Sequence, residues 1–187
     1  MPPTRAIRQH DRVTRRGAFP GSFNPLTIAH LEIAELARTR HGLDEVHLVV
    51  STVALDKPTP PGPTLEERVA LIEADLAPYP NLEVRVTERQ LIADIAEDYD
   101  IVIMGADKWE QVNDEKYYDS PEGRDAALAR LPEVVVATRS GADSPAELQL
   151  ETPHELHGMS STAARDGARH LMAPHAKQHW TPGNGET

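Results

Sequence analysis

The chain of 187 residues contains no cysteine, which excludes disulfide bonds, thiolate metal sites and cysteine nucleophiles. Aromatic residues make up only 4 %, so a core must be built mainly from Val, Ile, Leu and Ala, as in helices that cover a buried sheet. No apolar run approaches the roughly 20 residues of a membrane span, and the N-terminus lacks the apolar stretch of a signal peptide. These absences predict a soluble, cytoplasmic protein that does not bind a membrane.

Basic residues are also scarce, since Lys and Arg total 19 against 30 Asp and Glu and leave a net charge of −11. We therefore expect no nucleic-acid partner, because binding a phosphate backbone needs a wide basic surface. The exception is the N-terminus, where five arginines oppose one acid: Arg5, Arg8, Arg12, Arg15 and Arg16 against Asp11. We expect a flexible basic tail over residues 1–12, one domain over 13–173, and a flexible C-terminal tail over 174–187.

Along the domain, short apolar runs alternate with longer segments of helical periodicity, a pattern typical of α/β architecture. Strands are expected at 13–19, 46–50, 82–86, 101–104 and 134–137, with a short sixth at 148–150. Helices are expected at 26–40, from Thr64, at 91–97 and at 160–170, with a partly helical segment over 107–124. In the first of these, Ile28, Leu31 and Ala34 are expected on the buried side. A capping box between Thr64 and Glu67 is expected to start the second. This order predicts a parallel sheet of five or six strands with helices on both faces.

The first loop, GAFPGSFNPLTIAH over residues 17–30, joins a strand to a helix through a glycine-containing turn. Backbone N–H groups at such a turn and at the helix N-terminus form the outline of a phosphate-binding cradle. Thr27 and His30 are three residues apart, so both face the same side of the first helical turn and could reach an anion there. Alternatively, Thr27 caps the helix and His30 packs locally.

Two separated motifs resemble the signatures of the nucleotidylyltransferase superfamily. GSFNP (21–25) followed by TIAH (27–30) resembles GTFDP…(H/T)xGH, and MSSTAAR (159–165) resembles ISSTxxR about 130 residues later. Lys57-Pro58 and LEER (65–68) are similar to the pantetheine-phosphate adenylyltransferases, whereas Gly105-Ala106-Asp107 is similar to the GAD of the nicotinate and nicotinamide mononucleotide adenylyltransferases. The resemblance covers residues 13–172, with Asn24 in place of the family's Asp and Ala29 in place of its Gly.

The resemblance implies a Rossmann-like fold and transfer of AMP from ATP to a phosphorylated acceptor, with release of pyrophosphate and no covalent intermediate. It implies catalytic roles for Thr27, His30 and Lys57, and acceptor binding by Trp109. Nucleotide binding is implied for Gly21, Ser22, Phe23, Gly105, Asp107, Ser160, Ser161, Thr162 and Arg165. The two signature motifs are therefore expected to meet in space at one triphosphate. Mg²⁺ is the expected cofactor, bound mainly through the nucleotide phosphates rather than by a metal site of the protein.

The leading acceptor is nicotinate or nicotinamide mononucleotide, in NAD biosynthesis, because the GAD and SSTxxR motifs occur together. Pantetheine phosphate is the alternative suggested by TIAH and LEER, and a cytidylyltransferase is a third possibility because phosphate signatures do not read the base. Asn24 and Ala29 motivate a hypothesis of another class, a nucleotide-binding protein without turnover. His154 and His157 lack the spacing of a helical zinc site. Whether the chain forms a homo-oligomer stays open.

Overall fold

The computed structural model describes residues 13–53, 62–138 and 144–182. Its strands are β1 (Arg16–Pro20), β2 (Glu45–Ser51), β3 (Leu82–Thr87), β4 (Ile101–Gly105), β5 (Glu133–Ala137) and β6 (Gln149–Leu150). Its helices are α1 (Ile28–Arg40), α2 (Leu65–Leu76), α3 (Ile92–Ile95), α4 (Ala106–Asn113), α5 (Pro121–Ala129), α6 (Ser161–Arg165) and α7 (Pro174–His179).

The strands form one parallel sheet in the order β3-β2-β1-β4-β5-β6. This arrangement confirms the predicted Rossmann-like α/β fold. The strand order reverses at β1, which pairs with β2 on one side and with β4 on the other. In open sheets of this kind, ligands bind in the crevice at the carboxyl ends of the two strands that flank the reversal. The topology therefore directs attention to the loops that follow β1 and β4.

Alternate residues of the central strands belong to two hydrophobic clusters, one on each face of the sheet. Phe19, Leu48 and Ile103 lie in the first cluster, together with side chains of α1, α2 and α7. Val49 and Val102 lie in the second cluster, together with side chains of α3 and α4. Burial on both faces explains why the central strands read as continuous apolar runs. Within the described ranges, no helix is long and apolar enough to cross a bilayer.

Helix α1 begins two residues later than expected, because Thr27 is its N-cap. This start changes which side chains are buried. Ile28, expected on the buried side, is 37 % exposed, whereas Ala29 and Ile33 are buried. The capping box expected at the start of α2, between Thr64 and Glu67, is present.

The C-terminal region differs from the sequence-based expectation of fraying from Pro174 onward. The helix expected over 160–170 ends at Arg165, and Gly167 follows with φ +121°, a conformation that few other residues adopt. The chain then forms α7, with Pro174 at its first position and Trp180 only 4 % exposed beyond its end. A proline is tolerated at the first helical position, so it starts this helix instead of breaking it. The whole expected N-terminal tail, residues 1–12, and the last part of the expected C-terminal tail, residues 183–187, lie outside the described residues.

Candidate functional site

The turn after β1 is enclosed by aromatic rings. Phe23 has a φ of 44°, and its buried ring packs edge-to-face on the imidazole of His30, with 5.1 Å between ring centroids. Phe19 packs on Phe23 from another side at 5.5 Å. A Cβ at Gly21 would lie 2.8 Å from the Phe23 ring, so this close approach requires glycine. Of the expected nucleotide-binding residues here, Ser22 is exposed, whereas Phe23 is buried and supports His30.

Thr27 and His30 form a reciprocal capping pair at the start of α1. The backbone N–H of Thr27 donates to His30 Nδ1 at 3.1 Å, and the Thr27 hydroxyl lies 2.8 Å from the same nitrogen. Because a backbone N–H can only donate, Nδ1 must accept, and the neutral imidazole therefore carries its proton on Nε2. Partly exposed His30 is thus held as an Nε2–H donor at the carboxyl end of β1.

The side chain of Thr27 is buried against the imidazole of His30. Its relative exposure is 0 %, and its hydroxyl accepts from the backbone N–H of His30 at 3.4 Å besides contacting the ring. In this arrangement Thr27 orients His30 from behind, which is the local capping interpretation. A direct contact between the Thr27 hydroxyl and a phosphate stays a prediction.

The two signature motifs touch each other. The hydroxyl of Ser161 donates to the carbonyl oxygen of Pro25 at 2.8 Å, across 136 residues of sequence. Arg165 Nη1 donates to the carbonyl oxygen of Asn24, and its Nη2 donates to the Thr162 hydroxyl at 3.1 Å. The Ser161 hydroxyl and the Arg165 guanidinium therefore hold the first signature in place, and Thr162 is exposed at the start of α6.

Other predicted nucleotide-binding residues lie at the ends of short helices. Ser160 is the N-cap of α6, and its hydroxyl accepts from the N–H of Ala163 at 3.0 Å. Gly105, the last residue of β4, is the N-cap of α4 and lies at the carboxyl edge of the sheet. Asp107 follows in the first turn of α4 and is exposed, while Trp109 is half-buried and packs against the second cluster. Lys57 lies outside the described residues.

Sequence reasoning missed the residues that support the first signature from the C-terminal end. Trp180 Nε1 donates to Asn24 Oδ1 at 2.8 Å, and the N–H of Ala173 donates to the carbonyl oxygen of Leu26 at 3.0 Å. One signal was available in the sequence. Apolar residues at 172, 173, 176 and 180 repeat with the three-to-four-residue spacing of a helix face and are all buried in the structure.

Sequence reasoning also missed Arg68, which lies on the buried side of α2. It is only 7 % exposed, and its Nε finds no hydrogen-bond acceptor among the residues described. Burial lowers the pKa of the Arg68 guanidinium because it removes water from the charged group. A buried charge without a matched partner costs folding free energy, which makes Arg68 an unusual residue to find within a core.

Metal-binding side chains do not cluster in the described ranges, where no group of three or more His, Asp or Glu could hold an ion. The rings of His154 and His157 lie 5.2 Å apart, and His157 Nε2 lies 3.2 Å from the carbonyl oxygen of Thr152.

Comparison with known proteins identifies the family of the chain. The profile of the family described as Cytidylyltransferase-like matches residues 18–167. A phosphopantetheine adenylyltransferase from Rhizorhabdus wittichii is 30 % identical over 146 residues, which cover 77 % of this chain and 83 % of that protein.

Two further relatives match over shorter segments. A phosphopantetheine adenylyltransferase from Staphylococcus carnosus is 43 % identical over 37 % of this chain and 40 % of its own length. A probable nicotinate-nucleotide adenylyltransferase from Salinibacter ruber is 37 % identical over 36 % of this chain and 35 % of its own length. In both cases the chain spans less than half of the relative. The profile match and the relative aligned over most of its length show that the chain belongs to the cytidylyltransferase-like family of nucleotidyltransferases, and the three relatives described above are named as adenylyltransferases.

Proposed function

We propose that the chain transfers the AMP group of ATP to a phosphorylated small molecule and releases pyrophosphate. The observation that carries this proposal is the direct contact between the two signatures, Ser161 to Pro25 and Arg165 to Asn24, beside a histidine that presents an Nε2–H donor. An oxygen of the acceptor phosphate attacks the α-phosphorus, and the bond from that phosphorus to the pyrophosphate oxygen breaks. Such a transfer needs alignment and charge stabilisation rather than a nucleophile of the protein.

Each residue of the site has a task in this proposal. The Nε2–H of His30 donates to a phosphate oxygen on which negative charge develops, and Thr27 keeps the imidazole in the donating tautomer. Residues Ser160 to Thr162, at the start of α6, bind the β- and γ-phosphates. Asp107 accepts hydrogen bonds from the ribose hydroxyls, and Lys57 supplies a positive charge to the acceptor phosphate.

Mg²⁺ is part of the proposal. It prefers oxygen ligands, and at nucleotide sites it is commonly held by substrate phosphates with one or two carboxylates. When bound, it would neutralise phosphate charge, while the protein residues orient the two substrates.

As acceptor we propose nicotinate or nicotinamide mononucleotide. The features that support it are Gly105 and Asp107 at the start of α4, and the half-buried Trp109 two residues after Asp107 on the same helix. A partly exposed indole ring can stack on a pyridine ring while the rest of the side chain stays packed. The named nicotinate-nucleotide adenylyltransferase of Salinibacter ruber is compatible with this acceptor.

Pantetheine phosphate is the second candidate. It is favoured by the relatives named phosphopantetheine adenylyltransferase, one of which aligns over 77 % of this chain. The LEER motif, which is similar to that of the pantetheine-phosphate adenylyltransferases and lies at the start of α2, supports it too.

One assay separates the candidates. The protein is incubated with Mg²⁺ and either ATP or CTP, each acceptor is offered in turn, and pyrophosphate release is measured. Turnover with ATP and a nicotinate or nicotinamide mononucleotide alone would support the first candidate, and turnover with pantetheine phosphate alone would support the second. Turnover with CTP alone would replace the proposed donor. Nucleotide binding without pyrophosphate in any mixture would contradict the proposed reaction and favour a binding protein.

A further inference from the structure

Trp180 contacts the first signature from the far end of the chain. Its indole Nε1–H donates to Asn24 Oδ1 at 2.8 Å in a buried environment, although the two residues are 156 positions apart. Trp180 is 4 % exposed, and Asn24 is completely buried. Asn24 stands in the GSFNP motif, three residues before the cap residue Thr27.

The Asn24 side chain is enclosed as well as hydrogen-bonded. A Cβ added to Gly62 would lie 2.7 Å from Asn24 Oδ1, so the loop before α2 packs directly on the amide. The carbonyl oxygen of Asn24 accepts from Arg165, and the carbonyl oxygen of Leu26 accepts from the N–H of Ala173 at 3.0 Å. The backbone that leads into Thr27 is thus fixed by residues that come much later in the sequence.

Trp180 is itself held in place by neighbouring elements. Both carboxylate oxygens of Asp75, on α2, accept from the first turn of α7, from the N–H groups of His175 at 2.6 Å and Ala176 at 3.0 Å. The N–H of Trp180 donates to the carbonyl oxygen of Ala176 at 2.8 Å, and Arg169 Nη2 donates to the carbonyl oxygen of Trp180 at 3.2 Å. The indole ring therefore has a fixed anchor from which to hold Asn24.

We propose that Trp180 is a positioning residue of the phosphate-binding turn. Its indole N–H fixes Asn24, the fixed backbone from Asn24 to Thr27 sets the Thr27–His30 pair, and that pair aims the Nε2–H of His30 at the reacting phosphate. This role rests on the proposed function, since it names what the turn is positioned for. Helix α7 then supports the site by holding Trp180 at its C-terminal end, although no residue of α7 belongs to either signature.

The test is Trp180→Phe, which keeps an aromatic ring and removes the N–H donor. We expect kcat for pyrophosphate release to fall by roughly tenfold to a hundredfold, because small misplacements of a catalytic group are costly. KM for ATP should change by less than about threefold, since the start of α6 would still bind the phosphates. Asn24→Leu removes the same contact, so the effects of the two substitutions should not multiply. The kcat of the double variant should lie within about twofold of the kcat of the slower single variant.

The matched control is Ile72→Val, a small loss of packing on α2 in the same hydrophobic cluster. It should keep the wild-type kcat at an assay temperature well below the melting temperatures of all variants. If Ile72→Val and Trp180→Phe lose kcat equally, or if the effects of Trp180→Phe and Asn24→Leu multiply, Trp180 is a structural residue only and the proposal is overturned.

A second measurement does not depend on turnover. The ¹⁵N chemical shifts of the His30 ring nitrogens report which nitrogen carries the proton. Wild type and Ile72→Val should show the Nε2–H tautomer, and Trp180→Phe should show a mixture of the two. A pure Nε2–H pattern in Trp180→Phe would contradict the positioning role. If wild type releases no pyrophosphate with any acceptor, the proposed function fails, and this spectrum still decides whether Trp180 positions His30.

Discussion

The polar side chains on the two faces of the sheet make different kinds of contact. On the face of the second cluster, a cavity of about 290 Å³ is lined by several charged or polar side chains, among them Arg16, His47, Arg85 and Arg89. Three of these are arginines, and each pairs with a surface carboxylate: Arg16 with Glu45, Arg85 with Glu83, and Arg89 with Asp98. On the other face, the turn after β1 is held by single hydrogen bonds that distant residues donate to its main-chain carbonyls.

Neither the arginines nor the volume of this cavity therefore marks it as the proposed nucleotide site. Exposed ion pairs contribute little to stability, and arginines already paired with carboxylates offer a weakened field to an incoming anion. Donors fixed in advance stabilise developing charge without reorganisation during a reaction, and this is the role proposed for the Nε2–H of His30. The following predictions test whether the two regions differ in this way.

The largest effect is expected for His30→Ala. It removes the proposed transition-state donor, so kcat should fall by about 10²-fold or more, with a smaller change in KM for ATP. Steady-state measurement of pyrophosphate release checks this. His154→Ala, at an exposed position outside the turn, is the control and should keep full activity. Unchanged activity in His30→Ala would remove the turn from the mechanism.

Thr27→Val tests the orientation of the imidazole. The variant keeps the shape of the side chain and the backbone N–H contact to Nδ1, and it loses the hydroxyl that lies 2.8 Å from that nitrogen. With one of the two contacts gone, we expect kcat to fall by roughly tenfold. Thr27→Ser, which restores the hydroxyl, should recover most of the loss. Equal activity of Val and Ser at position 27 would show that the hydroxyl does not orient His30.

Arg68 is a buried arginine whose Nε has no acceptor within residues 13–53, 62–138 and 144–182, whereas Arg85 is exposed and paired with Glu83. Arg68→Met should raise the free energy of unfolding by about 1 to 3 kcal/mol, because it removes a buried charge and keeps an apolar stem of similar length. Arg85→Met should change it by less than about 0.5 kcal/mol. Urea denaturation measures both values. A clear loss of stability in Arg68→Met would mean that the guanidinium stabilises the fold.

His47 provides a pH test on the second face. Burial is the main cause that lowers the pKa of His47, and the nearby Arg85 guanidinium lowers it further. The unfolded state, with a histidine pKa of about 6.5, then binds more protons than the folded state below that pH. Stability should therefore fall as the pH drops below about 6.5, by up to about 1.4 kcal/mol per pH unit from this residue.

The variant His47→Gln isolates that contribution. It should lose less stability than wild type between pH 7 and pH 5, while its activity at pH 7 stays at the wild-type level. Denaturant titrations at several pH values measure the difference, and His154→Gln, an exposed histidine, serves as control. An identical pH dependence in His47→Gln and wild type would show that His47 is not the source of the acid sensitivity.

Some of these features follow from the sequence and others do not. The strands at 101–104 and 134–137 were predicted to within one residue at each end, because buried parallel strands are apolar on both faces. The meeting of the two signatures was also expected. The burial of Ile28 was predicted wrongly, since the cap at Thr27 decides which side of α1 faces the core. The hydrogen bond from Trp180 to Asn24 joins residues 156 positions apart, and no local pattern of residues predicts such a contact.

The most direct test is a crystal structure of the protein with Mg²⁺ and a non-hydrolysable ATP analogue. The triphosphate should lie between the turn and the start of α6, with a phosphate oxygen within about 3.2 Å of His30 Nε2 and another within that distance of the Thr162 hydroxyl or the α6 N–H groups. Density for the triphosphate against Arg16, Arg85 and Arg89 on the opposite face, with His30 unchanged, would contradict the assignment of the site.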